Sequence, residues 1–142
     1  MTFARKGKAL LVAASVVVIA AVVAAVVVEP PEQARKKRLD DRRLQDLSTI
    51  ETVVNEYWKR QQTLPPTLDA LQSAGLNASI ADPETKQPYE YLPLSERSYR
   101  MCASFAFETG NDRHRPWPAR AAEWSHKAGR YCFERTVREK SG

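Results

Sequence analysis

The chain has 142 residues, a formal net charge of +5 and a sequence isoelectric point near 9.4. Its length allows one domain and an anchor. Arg5, Lys6 and Lys8 precede a long apolar segment, and the rest of the chain carries 19 basic and 17 acidic residues. That near balance does not favour nucleic-acid binding, so no nucleic acid is expected as a partner.

The apolar segment predicts a membrane anchor. From Ala9 to Val28 the only polar residue is Ser15. At about 1.5 Å of helical rise per residue, this segment spans about 30 Å, the thickness of a bilayer's hydrocarbon core. Signal-peptide cores are shorter, about 7–15 residues, so a retained anchor is favoured over a cleaved signal peptide or a buried soluble helix. The predicted organisation is a basic tail at 1–8, a transmembrane helix at 9–28, a charged stalk at 29–38 and a domain at 39–142.

The charges on the two sides of this segment give conflicting orientations. Six Lys and Arg residues between Arg35 and Arg43 outnumber the three before the segment, and this count alone favours a cytoplasmic domain. A short basic N-terminus before a first apolar segment has instead the form of an uncleaved signal anchor. The cysteines described below favour the second interpretation, so we expect a single-pass membrane protein with its domain outside.

A long helix is expected after the anchor. Pro30 and Pro31 interrupt helical geometry, and the stretch from Glu32 to Gln62 then contains neither Gly nor Pro. In its second half, apolar residues cover about half of the helical circumference, which predicts an amphipathic helix packed under a sheet. They are Leu39, Leu44, Leu47, Ile50, Val53, Val54, Tyr57 and Trp58. The preceding run 34–38 is predicted to be solvated or to contact anionic lipid.

The second half of the chain alternates between apolar and polar residues. Thr67 is predicted to cap a short helix that runs through Ala74, and Gly75 to follow it in a left-handed exit. Period-two alternation then predicts strands at 89–92, 99–107 and 129–136, with a polar loop at 108–128. The expected fold class is α+β: the long amphipathic helix packed on a three-stranded antiparallel sheet.

Cys102 and Cys132 are the only cysteines, and both lie on the polar side of their predicted strands. If these strands are neighbours, the two residues face each other about 4.5–5.5 Å apart at Cβ, which favours a disulfide in an oxidising compartment. Unpaired thiols are one alternative. A metal site that adds His114 and His126 is another, but the spacing lacks the close ligand pairs of zinc sites. No metal or cofactor is therefore expected.

Catalytic signatures were sought and not found. The sequence has no nucleophile elbow, no zinc-protease motif, no phosphate-binding glycine loop and no haem-attachment motif. A non-enzymatic protein is therefore expected. A candidate interaction surface is offered by the polar loop, where tryptophans stand among arginines; alternatively, the tryptophans pin the loop onto the sheet. The residues are Trp117, Trp124, Arg113, Arg115 and Arg120.

The order of motifs resembles the soluble part of type II secretion pseudopilins and related type IV pilin-like proteins. In that family an amphipathic helix with a tyrosine near its end leads into L-P-x-x-L-x-x-L and D-P-x-x-x-x-P-Y-x-Y. The matching residues are Arg43–Ile50, Tyr57, Leu64–Pro65, Leu68, Leu71 and Asp82–Tyr91, within a similarity that covers about 40–107. The resemblance implies a long helix on a small antiparallel sheet in a bacterial inner-membrane protein. The segment Lys6–Leu10 lacks the Phe and the Glu that the family carries at the head of its hydrophobic helix. The family's calcium-binding loop has no residue-by-residue match here.

Three functions are consistent with these features. The first is a membrane-anchored, non-enzymatic extracytoplasmic interaction or assembly protein with an unidentified protein partner. The second is a minor pseudopilin of a secretion or pilus system with a degenerate leader. The third is a ligand-binding module that uses the loop between Trp117 and Trp124. A redox enzyme using Cys102 and Cys132 comes last, because the residues between them form no compact reactive motif.

Overall fold

The computed structural model divides the chain into two units, Met1–Ala34 and Arg35–Gly142. The residues it describes are 12, 14–22, 30–110, 118 and 121–138. In the first unit, residues 14–22 are helical and their side chains are exposed. Among the helices of the described residues, none has the length and hydropathy needed to cross a membrane. The predicted span at 9–28 lies partly outside those residues, and the basic tail at 1–8 lies wholly outside them.

Two helices come first in the chain. Helix α1 comprises Pro31–Gln61, and α2 comprises Leu68–Ser73. Helix α1 begins at the second proline, since proline's fixed φ and missing N–H suit a first helical position. It ends where Gln62 adopts a left-handed φ of 55°. Gly75, with a φ of 74°, provides the predicted exit after α2.

The three predicted strands form one antiparallel sheet in the order β1-β2-β3. The strands are β1 at Glu90–Pro93, β2 at Ser98–Phe105 and β3 at Gly129–Thr136. The α+β class is therefore confirmed. Strand β2 ends two residues before the predicted position, because the N–H groups of Ala106 and Phe107 donate to the carboxylate of Asp40 at 3.0 Å each.

The core lies between the apolar side of α1 and the inner face of the sheet. Leu44, Leu47 and Ile50 are fully buried, and Leu71 of α2 closes one edge. From the sheet come Tyr99, Met101, Ala103, Phe105 and Phe133, together with Trp124 from the loop before β3. Val53, Tyr57 and Trp58 are only partly buried, so the apolar face of α1 is narrower at its C-terminal end than the sequence pattern indicates.

The loop before β3 is held at its base by backbone contacts. The N–H of Thr109 donates to the carbonyl of His126, and the N–H of His126 donates to the hydroxyl of Thr109, both at 2.9 Å. A short 3-10 helix, Ala122–Trp124, lies within this loop. These bonds bring the part of the loop that carries Trp124 against the core.

Candidate functional site

The outer face of the sheet carries the predicted disulfide. Cys102 of β2 lies directly opposite Cys132 of β3, and their sulfurs are bonded. The disulfide is thus confirmed. Because each sulfur is bonded to the other, the alternative metal site built from these two cysteines is wrong. Of its other proposed ligands, His126 stacks on Phe105 with ring centroids 3.8 Å apart, and His114 lies outside the described residues.

Two ion pairs flank this disulfide on the same face. Arg130 of β3 reaches across β2 to Glu90 of β1, with one N–O distance of 2.6 Å, and its Nη2 lies 3.5 Å from the sulfur of Cys102. On the other side, Arg100 pairs with Glu134 at 2.5 Å. The hydrogen bond from Arg130 lowers the pKa of Glu90. These pairs partly cover the disulfide, although their own side chains remain largely exposed.

An apolar ridge lies beside these ion pairs. Leu92 is on the same face of β1 as Glu90, and Leu94 follows it just beyond the strand. They are 54% and 42% exposed, and within the described part of Arg35–Gly142 they are the large apolar residues with high exposure. Pro93 lies between them, so this edge of the sheet presents apolar groups rather than a regular row of N–H donors.

A buried ionic cluster lies on the inner side of the molecule, around Arg43 of α1. Its guanidinium donates to both carboxylate oxygens of Asp82, at 2.5 and 3.2 Å, and to Asp40 at 3.0 Å. It also donates to Glu84 at 2.9 Å. Arg43, Asp40 and Asp82 are all nearly inaccessible to solvent. Burial would raise the pKa of Asp82, but hydrogen bonds from Arg43 and from the N–H groups of Thr85 and Glu84 lower it to about 2.

A second buried carboxylate joins α1 to the start of β1. Tyr89 donates its hydroxyl to Asp46 at 3.0 Å, and Arg42 pairs with the same carboxylate at 3.1 Å. Burial raises the pKa of Asp46, and the hydrogen bond from Tyr89 opposes that shift. Together with Asp40, which receives the N–H groups at the end of β2, these contacts tie three segments of chain to one helix. Their role is to fix the fold, since each carboxylate is bonded to protein groups.

Trp124, one of the residues of the candidate interaction surface, is buried. This side chain is 1% exposed and packs with its ring centroid 5.0 Å from that of Phe133. The guanidinium carbon of Arg135 stands 4.4 Å over the same ring. Trp124 therefore pins the loop to the core, which was the alternative interpretation. The other members of that surface, Trp117, Arg113, Arg115 and Arg120, lie outside the described residues.

A groove opens beside Trp124. It has a volume of about 470 Å³ and lies between α1 and the segment around the 3-10 helix. The α1 side contributes Ser48, Thr52, Asn55 and Glu56, and the other side contributes Trp124 and Arg138. The N–H of Arg138 donates to Asn55 at 2.9 Å, closing one end of the groove. The groove is large enough for a small ligand.

Comparison with protein-family models, with curated proteins and with solved structures found no match to this chain. The resemblance to pseudopilins therefore depends on the motifs named above. Two of these motifs now have structural roles. Asp82 of the D-P motif receives Arg43, and Tyr89 of the P-Y-x-Y motif donates to Asp46.

Proposed function

We propose that this chain is a membrane-anchored, non-enzymatic interaction or assembly protein whose domain lies outside a bacterial inner membrane. The observation that carries the proposal is the outer face of the sheet, where Leu92 and Leu94 stand exposed on a rigid, disulfide-linked surface. Exposed apolar groups rimmed by polar residues are typical of protein–protein contacts. The disulfide supports an oxidising compartment.

The anchor is supported by the sequence from Ala9 to Val28, which is apolar apart from Ser15. The described side chains at 14–22 are exposed, including Val17 at 67%. Exposed valine and isoleucine along a helix are unfavourable in water and favourable in lipid. The sequence and these exposures support the membrane anchor in the proposal.

The non-enzymatic part of the proposal is supported by the hydrogen bonds that the buried polar residues make within the protein. Arg43, Asp40 and Asp82 bond to one another and to backbone groups, which is how structural ion clusters are satisfied. A catalytic acid or base must instead reach a substrate. The cluster lies on the inner side of the fold, whereas the exposed leucines lie on the outer face.

The interaction is tested with a photo-crosslinking residue placed at Leu92 in the full-length chain in cells. We expect a discrete crosslinked product that is lost when Leu94 is changed to Ser. The matched control is a crosslinker at Gln72, which is exposed on α2. The same product from both positions, or none from Leu92, would contradict an interaction through this face. Protease added to spheroplasts should digest the domain; protection would place it inside.

A minor pseudopilin is the second candidate. It is supported by the arrangement of a long helix on a three-stranded antiparallel sheet, which is the fold that the resemblance implies. Co-purification of the chain with sheared pili or pseudopili would support this candidate. A chain that stays in the membrane fraction while fibres are removed would argue for the first function.

A ligand-binding module is the third candidate, and the groove beside Trp124 favours it. Because Trp124 forms one wall, its fluorescence is expected to respond to a bound ligand. Changing the exposed Thr52 to Tyr fills the groove without touching the core. A ligand that binds the native chain and fails to bind Thr52→Tyr would support this function; equal binding would place the ligand elsewhere.

A further inference from the structure

Three arginines share one side of the first turns of α1. Arg35, Arg38 and Arg42 follow one another at spacings of three and four residues, so they fall within about 60° of the helical circumference. All three are exposed, and the side chains of Arg35 and Arg42 are 61% and 62% accessible. We call these three residues the arginine face.

The arginine face is turned away from the core. Leu44 and Leu47, which are completely buried, lie more than about 100° around the helix from each of the three arginines. Arg43 is adjacent in sequence but points to the inner side, where it binds Asp82. Of the four arginines in the first half of α1, Arg43 is therefore buried and the other three are exposed.

The charges of the arginine face are only weakly compensated. Arg35 contacts Glu84 at 3.4 Å, and that carboxylate also receives the shorter bond from Arg43. Arg42 contacts Asp46 at 3.1 Å. Arg38 has no ion pair within the described ranges. The Arg35–Glu84 pair is exposed and contributes little energy. Asp46 is buried, but the side chain of Arg42 stays 62% accessible. All three arginine side chains can therefore still reach an anionic partner.

The position of the arginine face in the chain indicates which anion it meets. Arg35 follows the end of the apolar segment, Val28, by seven residues, and Arg42 follows it by fourteen. An upright helix, at 1.5 Å per residue, would place these positions about 10 and 20 Å beyond the hydrocarbon core. The headgroup region is only about 5–8 Å thick on each side. Contact by all three therefore requires the first turns of α1 to lie along the bilayer surface.

We infer that Arg35, Arg38 and Arg42 bind anionic phospholipid headgroups and incline α1 onto the membrane surface. The inference rests on the proposed membrane anchor. Guanidinium groups bind phosphate with paired hydrogen bonds. Each basic residue close to an anionic membrane strengthens the contact roughly fivefold, so the three together favour the inclined arrangement by roughly a hundredfold.

Energy transfer in nanodiscs tests the inclination of α1. The full-length chain with Gln61→Cys is labelled with a donor dye, and the lipid headgroups carry an acceptor. Gln61 is exposed at the far end of α1, about 45 Å from its start, so an upright helix keeps the donor distant. We expect transfer to be higher in nanodiscs containing phosphatidylglycerol than in phosphatidylcholine alone, and high salt should remove the difference.

Variants show whether the arginine face causes the difference. Arg35→Gln/Arg38→Gln/Arg42→Gln should abolish the response to phosphatidylglycerol. Arg35→Gln/Arg38→Gln, which leaves Asp46 its partner Arg42, should weaken the lipid contact roughly 25-fold. The control Lys59→Gln/Lys127→Gln/Arg138→Gln removes the same charge from exposed positions outside the arginine face and should respond like the native chain. No response by the native chain, or equal loss in the control, would overturn the inference.

The same nanodisc components, as vesicles, separate this inference from the anchor. A chain retained after carbonate washing supports the anchor whatever the energy transfer shows. If carbonate removes the chain, the anchor is wrong, and cosedimentation at neutral pH then tests the surface alone. Binding that requires phosphatidylglycerol and is lost in the triple arginine variant would support the arginine face. Binding unaffected by that variant, or no binding, would overturn it. Competition by an acidic peptide but not by lipid would identify a protein partner instead.

Discussion

Two regions of the molecule use the same guanidinium–carboxylate pair in opposite environments. On the inner side, Arg43 binds Asp82 where the two side chains are 6% and 12% exposed. On the outer face, Arg130 binds Glu90 where both are more than half exposed. The distances are similar, at 2.5 and 2.6 Å. The distances alone therefore do not show which pair contributes more to stability. The exposure of each pair to water does.

The physical reason is the free energy of desolvation. Removing one partner of a buried pair leaves an uncompensated charge out of water and destabilises a protein by about 3–5 kcal/mol. Removing one partner of an exposed pair changes stability by less than about 1 kcal/mol, because water replaces the lost contact. The inner cluster is expected to hold the fold, whereas the outer pairs leave their face free for contacts.

The largest effect is expected at the centre of the inner cluster. Arg43→Met leaves Asp40 and Asp82 buried without their cation, so the free energy of unfolding should fall by about 3–5 kcal/mol in urea titrations of the purified chain. The control Arg100→Met removes the same group from the outer face. A loss at Arg43 no larger than at Arg100 would show that the cluster does not hold α1.

The disulfide gives the outer face its own contribution to stability. Its sequence separation is 30 residues, and closing a loop of that length stabilises a fold by about 3.5 kcal/mol in the chain-entropy model. The free energy of unfolding of Cys102→Ser/Cys132→Ser should be lower than that of the native chain by about that amount. Reductant should lower the free energy of unfolding of the native chain to that of the double variant. It should not change the free energy of unfolding of the double variant. Insensitivity of the native chain to reductant would mean that the outer face is held by other contacts.

The inner cluster should also make stability depend on pH. The pKa of Asp82 is about 2 in the folded chain, below its ordinary value of 3.8. Ionised Asp82 therefore stabilises the fold above pH 3.8, and this contribution, about 2 kcal/mol, is lost as pH falls through 2. Asp82→Asn should remove this part of the acid dependence.

Asp46 provides a control of opposite sign. Its pKa is raised in the folded chain, so its protonation at low pH stabilises the fold. Asp46→Asn should therefore steepen the loss of stability on acidification, measured by urea unfolding at several pH values. If both variants changed the pH dependence of the free energy of unfolding in the same way, the opposite pKa shifts of Asp82 and Asp46 would be contradicted.

The smallest effect is expected for the outer ion pairs. A double-mutant cycle with Arg130→Gln and Glu90→Gln should give a coupling of less than about 1 kcal/mol, which salt weakens further. The cycle is measured in the oxidised chain, so that the neighbouring disulfide stays constant. A larger coupling that persists at high salt would show that the two faces differ less than their exposure indicates.

The secondary structure and the disulfide could be predicted from the sequence because both depend on local periodicity. Alternation along 99–105 and 129–136 fixes which side chains share a face, and Cys102 and Cys132 then fall opposite each other. The end of β2 could not be predicted, because it depends on Asp40, which is more than sixty residues away. The sequence pattern around residue 106 contains no sign of that bond.

The inner cluster around Arg43 could not be predicted either, because it also depends on contacts between residues distant in sequence. Arg43 looks like one more cation in a basic stretch, and only packing shows that it points inward while Arg42 points outward. A usable signal was its position beside Leu44 and Leu47 on the apolar side of the predicted helix. Trp124 stands in a polar loop, so the sequence makes it a candidate for the surface. The hydrogen bonds between Thr109 and His126 hold the base of that loop, and Trp124 is buried in the core.

The central claim, an anchored domain outside the membrane, is tested most directly by one gel. Carbonate-washed membranes from cells expressing the full-length chain are denatured and treated with a thiol-reactive polymer, with and without prior reduction. We expect full-length chain in the membrane pellet that shifts only after reduction, because Cys102 and Cys132 are bonded to each other. A chain in the carbonate supernatant, or one that shifts by two polymers without reduction, would contradict it.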